Sequence, residues 1–509
     1  MSRAAPRCCL VTVLLLAAAG PGPRAAEAPQ RAAAADAAFL DALTWGATPS
    51  AFAQLTAEGR ARWLHAQLHP PAESRLPPAA QAQVDALTPP GSLFERAQAL
   101  DAQAKAAKEI ADPEARKAAQ QAFQGALNTA ARNAASVWVL RALYSPDQLR
   151  ERLTWFWFNR FNVHQGKSTL RAAVGDYLDT AIRPHVLGHF RDLLMASLRH
   201  PAMLRYLDND ANAAGRPNEN YAREIMELHT MGVGSGYTQG DVEALARILS
   251  GVGIDMKPET PKLRPEHAAD FRRDGLFAFN PDRHDYGDKV FLGTRIRGRG
   301  WAEVEEAVDL IARNPATATN VSRALATYFL GQAPDDALVA RLAAVFTRTD
   351  GDIAAVMEAL VREPALAAGR SGAFKDPVRY VFSALRMAYD ERVIRNAGPV
   401  LGWLNRLGEG LFNRSTPDGY PLDAAAWTGP GQLATRFEVA RQIGSGSAGL
   451  FKPALPDQPE EPAFPVLANG LYFAALSGTL SAATRAALAQ AVSPQDWNTL
   501  YLASPEFMR

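Results

Sequence analysis

The segment 145–161 restricts the fold more than any other part of the chain. Ser145-Pro146-Asp147-Gln148 combines a capping serine, a proline at the first helical position and a glutamine at the third, which predicts a helix start. The large apolar side chains that follow are Leu149, Leu153, Trp155, Phe156, Trp157, Phe158 and Phe161. Because they point in nearly all directions around the axis, the sequence predicts a helix that is buried on most sides.

Much of the remaining chain repeats apolar residues at steps of three and four, which is the period of a helix. Helices are predicted at 37–69, 169–182, 186–206, 218–231, 239–250, 302–313, 316–330, 336–346, 352–362 and 376–390. The alternation of strand and helix that is typical of a parallel sheet is missing. The sequence therefore predicts a mainly α fold.

Two segments depart from this pattern. Residues 73–130 are rich in Ala and Gln and poor in large apolar side chains, which predicts a peripheral helical arm. Residues 256–300 contain many prolines and glycines, and within them Lys289–Gly298 has the pattern of a small hairpin. We expect residues 27–509 to form one large multi-helix domain that carries this arm and this loop and hairpin insertion.

The N-terminus has the features of a secretory signal peptide. Arg3 and Arg7 precede an apolar run from Cys8 to Ala19, which is too short for the roughly 20 residues that span a bilayer. We expect residues 1–26 to be a signal peptide and the mature protein to be periplasmic or secreted. Both cysteines lie inside this segment, so the mature chain would have no disulfide or thiolate chemistry. It would also have no membrane span.

Charge composition excludes one class of function. The chain has 54 basic and 53 acidic residues, a formal net charge of +1. Proteins that bind nucleic acid mainly through phosphate contacts carry an excess of basic residues. We therefore expect no nucleic-acid partner.

The segment 208–219 resembles a calcium-binding loop in its spacing. With Asp208 at position 1, Asp210, Asn212 and Glu219 fall at positions 3, 5 and 12, where an EF-hand loop carries oxygen ligands. Ala213 replaces the usual turn glycine at position 6, and Arg216 brings a positive charge to position 9. The loop is thus a candidate calcium site, and the alternative is a polar connection whose Asp and Asn residues form caps and turns.

The next segment, 218–229, concentrates polar side chains on a predicted helix. Asn220, Glu224 and Glu227 share one face, Tyr221, Ile225 and Leu228 form the apolar stripe, and His229 lies about 140° from Glu224. These polar residues are candidates for acid–base catalysis. The alternative is a surface ladder of i,i+4 ion pairs, each contributing about 0.2–0.5 kcal/mol.

Asn159, on the aromatic helix, is a further candidate catalytic residue. It lies three positions before Asn162, and buried amides require hydrogen-bond partners. The two amides either line a polar pocket or tie the helix to a neighbouring loop. No nucleotide-binding fingerprint is present, and no cofactor is firmly implied beyond the calcium candidate.

Several longer motifs resemble one family. They are Leu43–Thr48, Trp155–Val163, His200–Asn209, Asn218–Gly232, Gly236–Val242 and Ala503–Met508. In order and spacing they resemble the exported bacterial proteins catalogued as domain of unknown function 1800. The resemblance implies a helical, exported protein, often encoded beside a second exported protein that resembles sulfatases and alkaline phosphatases. Family members commonly carry His at the position of Arg160. The arginine in this chain argues against a metal site there.

Two functions follow as hypotheses. The first is an exported accessory or binding protein that works with the co-encoded partner, because catalytic signatures are missing. The alternative is a hydrolase-like enzyme with a polar pocket built from 157–162, 185–208 and 218–229. A structural protein of the cell envelope is a third, weaker interpretation. Convergence of Asn159, Asp208, Asn220, Glu224 and His229 in one pocket would favour the enzyme.

Overall fold

The structure is a computed structural model that describes residues 23–72, 74–367, 374–453 and 461–509. The predicted signal peptide, residues 1–26, lies outside the described residues except for its last four. Those four belong to the first helix, Pro23–Leu43.

The mainly α prediction is confirmed, because helices account for 62 % of the structure and strands for 4 %. The helices before the insertion are α1 (Pro23–Leu43), α2 (Pro49–Glu58), α3 (Arg60–Leu68), α4 (Pro78–Leu87), α5 (Leu93–Glu109), α6 (Pro113–Tyr144), α7 (Gln148–Arg160), α8 (Val174–Asp176), α9 (Phe190–Arg199), α10 (Pro201–Tyr206), α11 (Glu219–Glu224) and α12 (Gln239–Ile248). Those after it are α13 (Trp301–Ala312), α14 (Pro315–Leu330), α15 (Asp336–Arg348), α16 (Ile353–Val361), α17 (Pro364–Ala367), α18 (Pro377–Tyr389), α19 (Gly398–Arg406), α20 (Pro430–Gly444), α21 (Ala482–Ala489) and α22 (Pro494–Leu502).

The strands lie in and just before the predicted insertion. They are β1 (Val252–Ile254), β2 (Arg272–Asp274), β3 (Phe277–Phe279), β4 (Lys289–Phe291) and β5 (Thr294–Ile296). The first three form an antiparallel sheet in the order β1-β3-β2. The other two form the expected hairpin, in which Lys289 pairs with Ile296.

A buried charged group fastens the hairpin to α13. The side chains of His284, Lys289 and Glu303 are all fully buried. Glu303 Oε1 accepts a hydrogen bond from His284 Nε2 at 3.0 Å, and Glu303 Oε2 lies 2.5 Å from Lys289 Nζ. Glu303 Oε1 also accepts from the backbone N–H groups of Arg299 and Gly300, so the same carboxylate caps α13.

Helix α7 is the centre of the core, as the aromatic pattern predicts. Every residue from Gln148 to Asn159 is buried. Trp157 has no exposed surface, and its ring centre lies 4.8 Å from that of Phe156 and 5.6 Å from that of Phe190. A helix with this composition is stable only inside such a multi-helix fold.

Both ends of the described chain meet at one place in the core. Helix α1 packs against the segment Tyr472–Leu476, and Asp41 forms ion pairs with Lys375 at 3.3 Å and Arg379 at 2.7 Å. The Lys375 ammonium group also donates a hydrogen bond to the Phe507 carbonyl at 2.9 Å. Lys375 therefore links α1, near Asp41, to the C-terminal segment near Phe507.

The arm comprises α4, α5 and the first part of α6. Within α5, Ala107 is the one residue that is buried, and the buried positions of α6 begin at Leu127. Ser92 and Glu95 form a capping box at the start of α5. Local capping and helix propensity, more than burial, thus support α5 and the first part of α6, whereas α4 buries Ala80 and Val84 in the core.

The helix predicted at 218–231 differs from the structure in its second half. It is α-helical from Glu219 to Glu224 and then continues as a π-helical turn, Ile225–His229. The wider turn buries Met226 and His229 and leaves Leu228 half-exposed, so the predicted Tyr221, Ile225 and Leu228 stripe is wrong at its last member. Such π-helical turns often occur at functional sites.

Candidate functional site

The segment 218–229 starts from a well-capped position. Asn218 Oδ1 accepts a hydrogen bond from the Tyr221 N–H, and its amide group donates to the Leu207 carbonyl at 2.8 Å. The Tyr221 hydroxyl donates to the Leu198 carbonyl at 3.1 Å. The candidate carboxylates Glu224 and Glu227 therefore sit on a fixed piece of backbone.

Among the candidate carboxylates, Glu224 has the fewest contacts that would balance its negative charge. Its half-buried carboxylate has no hydrogen bond and no ion pair with any residue in the described part of the chain. Burial raises the pKa of Glu224, the negative charges of Glu227 and Asp418 raise it further, and Arg223 opposes them. A carboxyl group in this environment takes up a proton, or a cation, more readily than an ordinary glutamate.

Four side chains complete what we call the Glu224 cluster: Tyr206, Glu227, Tyr237 and Asp418. Tyr237 donates a short hydrogen bond to Glu227, which also lies 3.7 Å from Arg223. The Tyr206 hydroxyl donates to the Ser415 carbonyl at 2.8 Å. Burial raises the pKa of Tyr206 to about 12, with added effects of Glu224 and Asp418. Burial and the Glu227 carboxylate likewise raise the pKa of Tyr237 to about 12.

The loop 414–420, which contributes Asp418, was not anticipated from the sequence. Asn159 holds it by donating to the Tyr420 carbonyl at 2.9 Å and accepting from the Tyr420 N–H at 2.6 Å. Asn162 donates to the carbonyls of Arg414 and Thr416. Both amides thus tie α7 to this loop, which is the second of the two interpretations given above.

His229 lies in the core. It is buried against the Phe161 ring, with 5.1 Å between ring centres, and Arg160 Nε donates to its carbonyl at 3.0 Å. Burial and the nearby Arg160 charge lower the pKa of His229 to about 3, so the ring is neutral. Its Nε2 has no hydrogen-bond partner among the described residues. Asn220, in contrast, is exposed to solvent.

Arg160 is a cation without a counter-ion among the described residues. Its Nε and one terminal nitrogen donate to the carbonyls of His229 and Thr230. Burial lowers the pKa of Arg160 to about 10. A metal ion near His229 would face this positive charge, which agrees with the expectation that Arg160 argues against a metal site there.

The calcium candidates each have protein partners. Asp208 lies 2.8 Å from Lys167 Nζ, and Asp210 Oδ2 lies 2.7 Å from Arg205 Nε. The Asn212 oxygen accepts from the Asn218 N–H at 3.1 Å. Glu219 accepts from Gln239 at 2.8 Å. In the described part of the chain, no group of three or more His, Cys, Asp or Glu side chains has the geometry to hold a metal ion.

These contacts favour a capped connection, and thermal unfolding with and without calcium tests it. We expect millimolar calcium to shift the melting temperature of the wild type by less than about 1 °C, since a ligand that binds the native state would raise it. The Glu219→Gln variant should behave in the same way. A calcium-dependent rise that disappears in Glu219→Gln would instead establish the calcium site.

The structure thus brings together one residue from each of the three predicted pocket segments, namely Asn162, Tyr206 and Glu224, with Asp418 from the unanticipated loop. Asn159, Asn212 and His229 have internal structural contacts, and Asn220 faces solvent. The chemistry available at the cluster is therefore carboxylate and phenol chemistry.

These features define a mainly α-helical protein with a cluster of carboxylates and tyrosines beside a π-helical turn. The chain belongs to the family described as Protein of unknown function (DUF1800), which it matches over residues 38–509. Comparison with curated proteins and with solved structures finds no match. Within the described residues, no helix combines the length and the apolar character that a membrane crossing requires.

Proposed function

We propose that the protein is an exported accessory protein that binds another exported protein through the Glu224 cluster. The observation that supports this is the unpaired, half-buried carboxylate of Glu224. The family gives the context for a partner, because its members are often encoded beside a second exported, sulfatase- or phosphatase-like protein.

Electrostatics indicate what the cluster would recognise. Glu224 is destabilised in its charged form by burial and by two neighbouring carboxylates. A lysine or arginine side chain of a partner would supply the missing counter-charge and would bring hydrogen-bond donors. Tyr237, which is only partly buried, offers an aromatic ring next to the carboxylates, which suits a cationic group. We therefore propose a basic side chain as the recognised feature.

Glu224→Gln tests this binding site, because it keeps the shape of the side chain and removes its charge. We expect the variant to bind the exported protein encoded beside it at least about tenfold more weakly in isothermal titration, since a desolvated charge pair loses one member. Glu243→Gln is the matched control, because Glu243 is an exposed carboxylate on the adjacent α12.

Equal binding by the wild type and Glu224→Gln would reject the cluster as the recognition site. Failure of the wild type to bind would reject this partner. The affinity of the Glu243→Gln control should match that of the wild type within about twofold, as expected for an exposed charge.

A hydrolase-like enzyme is the second candidate, and the raised pKa of Glu224 is what favours it. A raised pKa is the direction of shift that a carboxyl group needs to act as a general acid while a neighbouring carboxylate acts as base. Nitrophenyl esters, phosphates and sulfates are suitable substrates for a first assay. Hydrolysis by the wild type that Glu224→Gln abolishes and Glu243→Gln retains would replace the accessory proposal with this one.

Export is part of the proposal and has its own test. The Arg-flanked apolar run at the N-terminus supports cleavage by a signal peptidase. Peptide mass mapping of the protein from its native host should find a new N-terminus between about residues 20 and 30. Recovery of the protein in the cytoplasm with an intact Met1 would contradict export.

A further inference from the structure

A cavity of about 350 Å³ lies between the arm and the rest of the fold, and no residue of the Glu224 cluster is part of its lining. Helix α5 and Phe123 of α6 form one side of it, and residues 168–173, Pro201, Arg205 and the segment 254–276 form the other. Most of its lining is apolar and includes Leu93, Ala97, Leu100, Phe123, Leu170 and Leu276. The volume lies in the lower part of the range of small-molecule sites, which are mostly apolar and carry a few polar groups.

The apolar lining explains a peculiarity of the arm. Leu93, Leu100 and Phe123 are only half-buried in the structure, although they face the body of the protein across the cavity. A guest in the cavity would remove more of their surface from water, and burial of apolar surface is favourable. These three side chains therefore form a small apolar surface on the arm that the rest of the protein covers only partly.

The charged residues of the lining are Arg96, Arg205 and Asp101, and its uncharged polar residues are Ser168 and Thr169. Arg96 uses its terminal nitrogens for the Gly91 carbonyl and Asp176, and its buried Nε has no partner among the described residues. The Nε atom of Arg205 lies 2.7 Å from Asp210 Oδ2. The two terminal nitrogens of Arg205 have no acceptor in the part of the chain that the structure describes. The acid in the lining, Asp101, is paired with Lys105 at 2.7 Å.

We propose that this cavity binds a small aliphatic monocarboxylate. The alkyl chain lies among Leu93, Leu100 and Phe123, and the carboxylate accepts hydrogen bonds from the terminal nitrogens of Arg205. Paired, charge-assisted hydrogen bonds between a guanidinium group and a carboxylate are stronger than those to a neutral oxygen. An ammonium group has no acceptor atom for the Arg205 N–H donors, so the cavity favours a carboxylate over an amine.

Binding of a homologous series to the full chain tests the apolar part of the site. Hexanoate, octanoate and decanoate should bind successively more tightly in isothermal titration, by about fourfold for each added methylene group until the cavity is full. Octanoate should bind at least about tenfold more tightly than 1-octanol or octylamine. Absence of binding at millimolar concentrations, or equal binding of all three eight-carbon compounds, would overturn the proposal.

Two pairs of variants locate the site. Ala97→Phe fills the cavity and should abolish octanoate binding, whereas Ala99→Phe, on the exposed face of the same helix, should leave it unchanged. Arg205→Met should reduce octanoate binding to that of 1-octanol, and Arg264→Met, at an exposed ion pair outside the lining, should not. Thermal unfolding without ligand confirms that each variant is folded. Equal effects of Ala97→Phe and Ala99→Phe would reject this cavity as the site.

Discussion

Replacing Trp157 with alanine should lower the free energy of unfolding by about 3–5 kcal/mol, because it removes the most enclosed large ring of α7. The indole packs between Phe156 and Phe190, and its centre also lies 6.1 Å from that of Phe161. Its Nε1 has no hydrogen-bond partner among the described residues, so the loss comes from packing. Urea unfolding of the two proteins measures the difference.

Phe473→Ala is the control, because Phe473 is an aromatic residue that is 64 % exposed. We expect this substitution to change stability by less than about 0.5 kcal/mol, as is usual at exposed positions. Trp157→Phe provides a graded variant if the alanine protein does not fold. A loss below about 1 kcal/mol for Trp157→Ala would show that α7 is not the centre of the core.

Glu303→Gln should be similarly destabilising, by about 3–5 kcal/mol near neutral pH. The substitution leaves Lys289 buried without its counter-charge and weakens the hydrogen bond from His284. Glu305→Gln is the matched control on the same helix, because Glu305 is exposed and accepts one hydrogen bond, from Trp301, among the described residues. Chemical unfolding should separate the two variants clearly.

The effect of Glu303→Gln should also depend on pH. Burial opposes ionisation of Glu303, but hydrogen bonds and charges of His284 and Lys289 outweigh it, so the pKa of Glu303 lies below its ordinary value of 4.5. A carboxylate with a lowered pKa in the folded state contributes stability above its unfolded pKa, and this contribution is lost as the pH falls through the folded value. The difference between wild type and variant should therefore shrink below about pH 4.5. A difference that stays constant down to pH 3 would contradict the ionised state of Glu303.

The bounds of α13, α14, α15, α16 and α18 could be predicted from the sequence to within two residues, whereas the short α17 between them was missed. The reason is local, since Asn314, Asp335, Asp352 and Asp376 each accept a backbone hydrogen bond at a helix start. Four helices after residue 390 were missed. Helix α20, for example, starts at a Gly429-Pro430-Gly431 segment that is typical of a turn.

The sequence also identified Glu224 and Glu227 but not the surroundings that give them their character. Tyr206 and Asp418 approach Glu224 through tertiary structure, so no spacing along the chain announces them. The π-helical turn also limited the prediction of burial. It has about one residue more per turn than an α-helix, which changes which side chains are buried. The candidate residues could thus be chosen from the sequence, whereas their contact partners and their burial required the fold.

The joined ends of the fold have a consequence for the timing of folding. Lys375 contacts both Asp41 and the Phe507 carbonyl, and α1 packs against Tyr472–Leu476, so the region around α1 cannot be completed before these late segments have been synthesised. Contacts between such distant residues slow folding, because a long loop must close before they form. A chain that folds late remains unfolded for longer. If the protein leaves the cytoplasm as an extended chain, the same contacts that stabilise it afterwards would help to keep it competent for translocation beforehand.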